Sequence, residues 1–109
     1  MKSVGIDIVE IERVRKVISD SFASKVLSGE ELERYKEFKE TRKIEFLSGR
    51  FCAKEAIIKC LSDYEKVQMT DLNITNNENG KPEIKYKDYD IELSISHERN
   101  YAVAIAILK

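Results

Sequence analysis

The chain has no tryptophan, one histidine, one proline, two cysteines and four glycines among 109 residues. Each scarcity narrows the field. One histidine and two cysteines cannot supply a Cys/His metal cage, and no such ligand spacing occurs. Cys52 and Cys60 fall eight apart in one helical stretch. That separation is about 12 Å along a helix, too far for a disulfide. They read as small buried apolar residues in a reducing compartment. Repeats, low-complexity tracts and Pro/Gly-rich linkers are lacking, so residues 1–109 read as one domain. The N-terminus carries no signal-peptide pattern, and no apolar run is long enough to span a membrane. A cytoplasmic chain without membrane contact is expected. Excess charge of either sign is also lacking. Nineteen Lys and Arg oppose twenty Asp and Glu, a net charge of −1, which excludes a generally basic nucleic-acid binder.

What is present is a 42% apolar fraction, enough for a core, and a 36% charged fraction that suits a solvated surface. Charge is unevenly spread. Arg13, Arg15, Lys16 and Lys25 face only Asp20 between residues 13 and 26, whereas residues 60–100 hold nine acids against five bases. A basic segment on a near-neutral chain suits an acidic partner. A domain this small buries a limited share of its surface, so self-association is expected.

Residues 3–9 are apolar on both faces and read as a buried strand, with Gly5 leaving space beside Asp7. Residues 10–20 carry apolar side chains at helical spacing. Residues 19–28 suit a short helix and turn. Ser28-Gly29-Glu30-Glu31 starts a charged helix that runs to about Glu40. A longer, largely buried helix covers about Thr41 to Ser62. In it Gly49, Ala53, Ala56 and Cys60 form a stripe of small residues suited to close packing. Strands are expected at 72–75, 83–86, 91–97 and 101–108, with a turn at Asn76–Gly80 and a hairpin turn at 98–100. The fold class is α+β: helices, one of them long and buried, packed on a small antiparallel sheet.

Ionisable residues sit inside these core-forming segments. Asp7 lies in the first strand, Glu55 and Lys59 one turn apart on the long helix, and His97 at a strand end. Burying such groups is unfavourable unless they have partners or ligands. Two carboxylates, an ammonium and an imidazole suit a hard divalent cation and phosphate groups. Read singly, each has a plainer role: Asp7 as a helix cap, Glu55–Lys59 as a surface ion pair, His97 as a turn residue.

Together the segments resemble a known family. Gly5-Ile6-Asp7-Ile8-Val9 with Arg13 is similar to the first motif of the small bacterial 4′-phosphopantetheinyl transferases that act on acyl carrier protein. Gly49-Arg50-Phe51-Cys52-Ala53-Lys54-Glu55-Ala56-Ile57-Ile58-Lys59 resembles their most diagnostic motif, F-x-x-K-E-A-x-x-K. Asn79-Gly80-Lys81-Pro82 and Ser94-Ile95-Ser96-His97 with Tyr101-Ala102 resemble the remaining two, in the same order.

The resemblance implies transfer of 4′-phosphopantetheine from coenzyme A to a serine of apo-acyl carrier protein. It implies Mg²⁺, with Mn²⁺ possible, on Asp7 and Glu55. Glu55, Lys59 and His97 become catalytic: a base for the serine proton, and cations on the phosphates. Coenzyme A contacts fall on Arg50, Lys54, Lys59, Asn79, Gly80, Lys81, Pro82, Ser96 and His97. Carrier docking falls on Arg13, Arg15, Lys16 and Val17. A homotrimer with sites between subunits is implied as well. The competing expectation is a non-catalytic module that binds coenzyme A or a nucleotide, which needs no paired carboxylates. A phosphohydrolase and a small RNA-binding domain fit less well, the latter because the basic segment lacks interleaved aromatics. Residues 62–68 depart from the family pattern, being charged and free of glycine where a glycine-rich stretch is usual.

Overall fold

The computed structural model describes all of residues 1–109. Its order is β1 (Ser3–Glu10), α1 (Ile11–Val17), α2 (Asp20–Val26), α3 (Gly29–Glu37), α4 (Glu40–Leu61), a 3₁₀ turn at Met69–Asp71, β2 (Ile74–Asn76), β3 (Pro82–Ile84), β4 (Ile91–His97) and β5 (Tyr101–Leu108). Strands β1, β5 and β4 form one antiparallel sheet in that order, and β2 pairs with β3 in a separate hairpin. Helix α4 lies across one face of the larger sheet, and the remaining helices pack around α4.

Helix starts follow from capping. Ser19 Oγ accepts the Phe22 amide at 3.0 Å, which divides the 10–28 region into two short helices. Ser28 and Glu31 exchange side-chain and backbone bonds in a capping box. The long helix meets its expected bounds to within one residue. Its small residues Ala53, Ala56 and Cys60 are fully buried, and the backbone of Gly5 seats directly on the Ala56 and Cys60 turn. The room left by Gly5 is therefore filled by α4.

The register puts Gly5, Asp7 and Val9 of β1, Ala102, Ala104 and Ala106 of β5, and Leu93, Ile95 and His97 of β4 on the side facing α4. Here the structure corrects the sequence reading. Strands β1 and β5 are apolar on both sides, yet this chain covers only one. Val4, Ile6, Ile8, Tyr101, Val103 and Ile105 stand on the open side, with Ile6 60% and Ile8 62% exposed. No helix of the fold is long and apolar enough to cross a membrane.

Candidate functional site

Asp7 points from the sheet toward α4, its side chain 18% exposed. Lys59 reaches back from the last turn of α4 and donates to Asp7 Oδ1 and to the Ile6 carbonyl, each at 3.0 Å. Beneath them the Cys52 thiol donates to the Asp7 carbonyl at 3.2 Å and to that of Ala102 at 3.5 Å. Burial, then the Asp7 charge, pushes that thiol's pKa up to about 12, so it stays protonated and works as a donor. Lys59 thus pairs with Asp7 rather than with Glu55 on its own helix.

Glu55 is left half-buried, and no hydrogen-bond donor of the chain meets its carboxylate. Its pKa is raised, first by burial and then by the Asp7 charge, with Lys59 opposing. A half-buried carboxylate without a donor, beside a second one, is short of positive charge. No group of three or more His, Cys, Asp or Glu side chains converges on a point, so the site is not an all-protein cage. Two adjacent carboxylates open to a cleft are the donor set Mg²⁺ favours, since it keeps waters and substrate phosphates as its other ligands. The residues fit that ion.

The cleft, about 450 Å³, is lined by Asp7, Glu55, Arg13, Val17, Phe22 and Phe51 among others. Phe22 and Phe51 pack at 5.7 Å between centroids and form its apolar wall. Arg13 and Val17, four apart on α1, both reach it. Arg15 does not. It pairs with Glu12 at 3.2 Å and borders a small crevice with Arg99 and Tyr101. Lys16 is exposed. The four expected docking residues therefore do not form one face.

The remaining expected residues lie elsewhere. His97 is exposed, and it sits two strands across and two residue rows along from Asp7. That is about 10 Å or more in sheet spacing, and His97 does not line the cleft. Ser96 points to the open side of the sheet, in the row of Val103 and Ile8. The turn is built by Asn77, whose side chain accepts the Asn79 and Lys81 amides, and by Gly80 at φ +86°. Lys81 and Pro82 border a second cleft of about 820 Å³ between β3 and β4, and Lys81 bonds Glu92 and the Leu93 carbonyl at 3.3 Å each. Asp7, Glu55 and Lys59 thus gather at the β1 edge of the sheet, the turn and His97 toward the opposite edge.

Lys54 is a correction. Its ammonium is fully buried and donates to the carbonyls of Val26 at 2.8 Å and Met69 at 3.0 Å and to Glu31. All three protons are spent, so none remains for coenzyme A. Burial lowers its pKa and Glu31 opposes that. Arg50 is buried too. It lies 3.4 Å from Glu31 and donates to Asn76 at 2.8 Å. Burial pulls its pKa down to about 10. Glu31, which also accepts the Ile74 amide, is the residue missed from sequence. The Ser28-x-x-Glu31 spacing signals its cap role, while its buried partners arrive only with the tertiary fold.

Residues 3–106 match the model of the 4′-phosphopantetheinyl transferase superfamily, and the chain belongs to it. Within that class its relatives include holo-[acyl-carrier-protein] synthases. A holo-[acyl-carrier-protein] synthase of Oceanobacillus iheyensis is 39% identical, over 97% of this chain and 94% of that one. One from a Geobacillus species is 40% identical over the same shares. The crystal structure of a holo-(acyl-carrier-protein) synthase from Bacillus anthracis, in complex with CoA (3′,5′-ADP), superposes at a TM-score of 0.88. It is 34% identical, over 98% of this chain and 95% of that one. The chain is accordingly an enzyme of the holo-acyl-carrier-protein synthase branch.

Proposed function

We propose that the protein transfers 4′-phosphopantetheine from coenzyme A to a serine hydroxyl of apo-acyl carrier protein and releases adenosine 3′,5′-bisphosphate, in a Mg²⁺-dependent reaction. The observation that carries this is the pair Asp7 and Glu55, with Lys59 on Asp7, in a cleft flanked by Arg13. Bound on Asp7 and Glu55, Mg²⁺ (or Mn²⁺, which takes the same oxygen ligands) would neutralise pyrophosphate charge. Glu55 takes the serine proton. The serine oxygen bonds to the β-phosphorus, and the bond from that phosphorus to the bridging oxygen breaks. Lys59 stabilises the departing phosphate. A bare coenzyme A module would have no use for the paired carboxylates. Intact-mass spectrometry of an apo-acyl carrier protein incubated with the protein, coenzyme A and Mg²⁺ tests the proposal. A phosphopantetheine-sized gain, lost on chelation, supports it; no gain on any carrier, from folded protein that binds coenzyme A, favours the module.

Carrier docking falls to Arg13, with Val17 as an apolar contact and Lys16 beside them. Arg13→Glu is expected to raise the KM for carrier protein at least about tenfold while that for coenzyme A stays within about twofold. Equal changes in both would remove the docking role.

Self-association belongs to the same proposal. The open apolar side of β1 and β5 is the kind of patch that a partner covers. The Asp7 cleft and the turn with His97 stand at opposite sheet edges. A head-to-tail contact that brings one edge to the next subunit's other edge gives a ring where the rotation closes, and the trimer implied by the family resemblance would be such a ring. Ile6→Lys is expected to convert the trimer to monomer in light scattering and to abolish activity while the monomer stays folded. A monomeric wild type that is active would sink this part. A cytoplasmic setting, where Cys52 and Cys60 stay reduced, completes the reading.

A further inference from the structure

Asn76 closes a polar chain between the long helix and the Asn77–Lys81 turn. Its Oδ1 accepts from Arg50 Nη2 at 2.8 Å and from Arg34 Nη1 at 3.3 Å, and its Nδ2 donates to the Gly80 carbonyl at 3.0 Å. Only this setting of the amide satisfies all three partners: two guanidinium donors on one atom, a carbonyl acceptor on the other. Arg50 is in turn held by several partners, though its buried Nε makes no hydrogen bond. It lies 3.4 Å from the buried Glu31, donates to the Ile74 carbonyl, and stands 4.6 Å over the Phe46 ring. Glu31 holds Lys54 as well, the neighbour of Glu55 in sequence. So the chain runs from the helix turn that carries Glu55, through Glu31, Arg50 and Asn76, to Gly80.

The turn has two side-chain ties to the rest of the fold, this one toward α4 and that of Lys81 toward β4. Asn77 sets its internal shape. Its orientation against the rest of the fold is another matter. The hairpin that presents it has two strands of three residues each, and its last pair joins Asn76 to Pro82, which has no amide proton to give. Two such short strands are marginal on their own.

We propose that Asn76 is a positioning residue for coenzyme A, acting through the turn: by clamping Gly80 to Arg50 it fixes where the turn's backbone meets the ligand. This rests on the reading that the Asn79–Pro82 turn contacts coenzyme A. None of the four family-like motifs includes Asn76. An aspartate there would keep both arginines but turn an oxygen against the Gly80 carbonyl, so the amide nitrogen is the test of the mechanism.

The experiment measures steady-state kinetics and thermal midpoints for Asn76→Ala, Asn76→Asp and, as a control on the underlying reading, Lys81→Ala. Asn76→Ala is expected to raise the KM for coenzyme A about tenfold, with kcat and the KM for carrier protein within about twofold and the midpoint within about 2 °C. Asn76→Asp should raise the same KM as much, despite its intact arginine contacts. If the Lys81 variant raises the KM and neither Asn76 variant does, the KM depends on the turn but not through Asn76, and the proposal falls. If Asn76→Asp behaves as wild type, the Gly80 bond is idle and the proposal falls. If Asn76→Ala lowers the midpoint and kcat together without a selective KM change, its role is general stability, which also overturns it. If none of the three variants changes the KM, the turn reading itself has failed and takes the proposal with it.

Discussion

Gly5→Ala is expected to unseat β1 and, with it, the site. A methyl carbon at Gly5 would lie 1.9 Å from the Ala56 carbonyl oxygen and 2.7 Å from the Cys60 amide nitrogen. Both are backbone atoms in the last two turns of a buried helix, so neither can swing aside as a side-chain tip would. Relief requires β1 and α4 to separate by about 1.5 Å, the shortfall against ordinary contact distance. Overpacking of this kind destabilises by about 1–3 kcal/mol and more where the surroundings are rigid. Against a total stability of about 5–15 kcal/mol for a domain this size, that is a large share. The separation also draws Asp7 away from Lys59 and Glu55, so activity should fall beyond what unfolding accounts for. Gly49→Ala is the matched control. A methyl there would meet only Ile95 Cγ2, at an ordinary 3.7 Å. Removing a glycine from a helix interior is favourable by about 0.5–1 kcal/mol. Urea unfolding should therefore give midpoints shifted in opposite directions for the two glycines. Equal shifts would mean that the close approach of strand and helix does not govern the packing.

The contrast between these glycines shows what periodicity can and cannot deliver. The small-residue stripe on α4 is legible because its spacing follows the helix turn, and it does mark the face that meets β1. Which partner in that contact requires glycine depends on the separation of two elements distant in sequence, so no local pattern carries it. The apolar segments that became β1 and β5 are equally plain as strands. Their two apolar sides look alike in sequence, though one meets α4 and the other stands open, because a residue's hydrophobicity does not say which molecule covers it. The site divides the same way. Asp7, Glu55 and Lys59 announce themselves as ionisable groups in apolar surroundings. Lys54 does so just as strongly, and the structure gives it to Glu31, 23 residues away. A buried lysine with a buried acid and one with a ligand have the same sequence signature, and only the fold separates them. The short strands β2 and β3 begin and end away from their expected bounds, because they are set by the hairpin turn and by Glu31 bonding to Ile74, again a tertiary contact.

Asp7→Asn and Glu55→Gln are expected to abolish transfer alike and to move stability in opposite directions. Each removes one of the two carboxylates on which the proposed chemistry depends, and general-base or charge-positioning groups of this kind contribute about 10²–10⁴-fold in rate. Their structural circumstances differ. Asp7 receives the Lys59 ammonium at 3.0 Å, so an amide in its place would weaken an existing pair and leave the chain slightly less stable. Glu55 receives nothing from the chain and is held beside Asp7 by the fold, which is why its pKa is raised. An acid whose folded pKa lies above its unfolded value contributes stability below the unfolded pKa, and that contribution is lost as pH rises through the folded one. At pH 7 the ionised Glu55 is therefore a net burden on the metal-free fold, and the Glu55→Gln substitution lifts it. Calorimetry in chelator at pH 7 should place Glu55→Gln at or above the wild-type midpoint and Asp7→Asn below it. The gap between Glu55→Gln and wild type should close as pH falls toward 4.5, the ordinary glutamate value. Added Mg²⁺ should raise the wild-type midpoint and leave both variants nearly unmoved, since each lacks half of the donor set. A Glu55→Gln protein that melts well below wild type in chelator would mean that Glu55 has a structural partner, and the case for its charge being held in reserve for the reaction would fail.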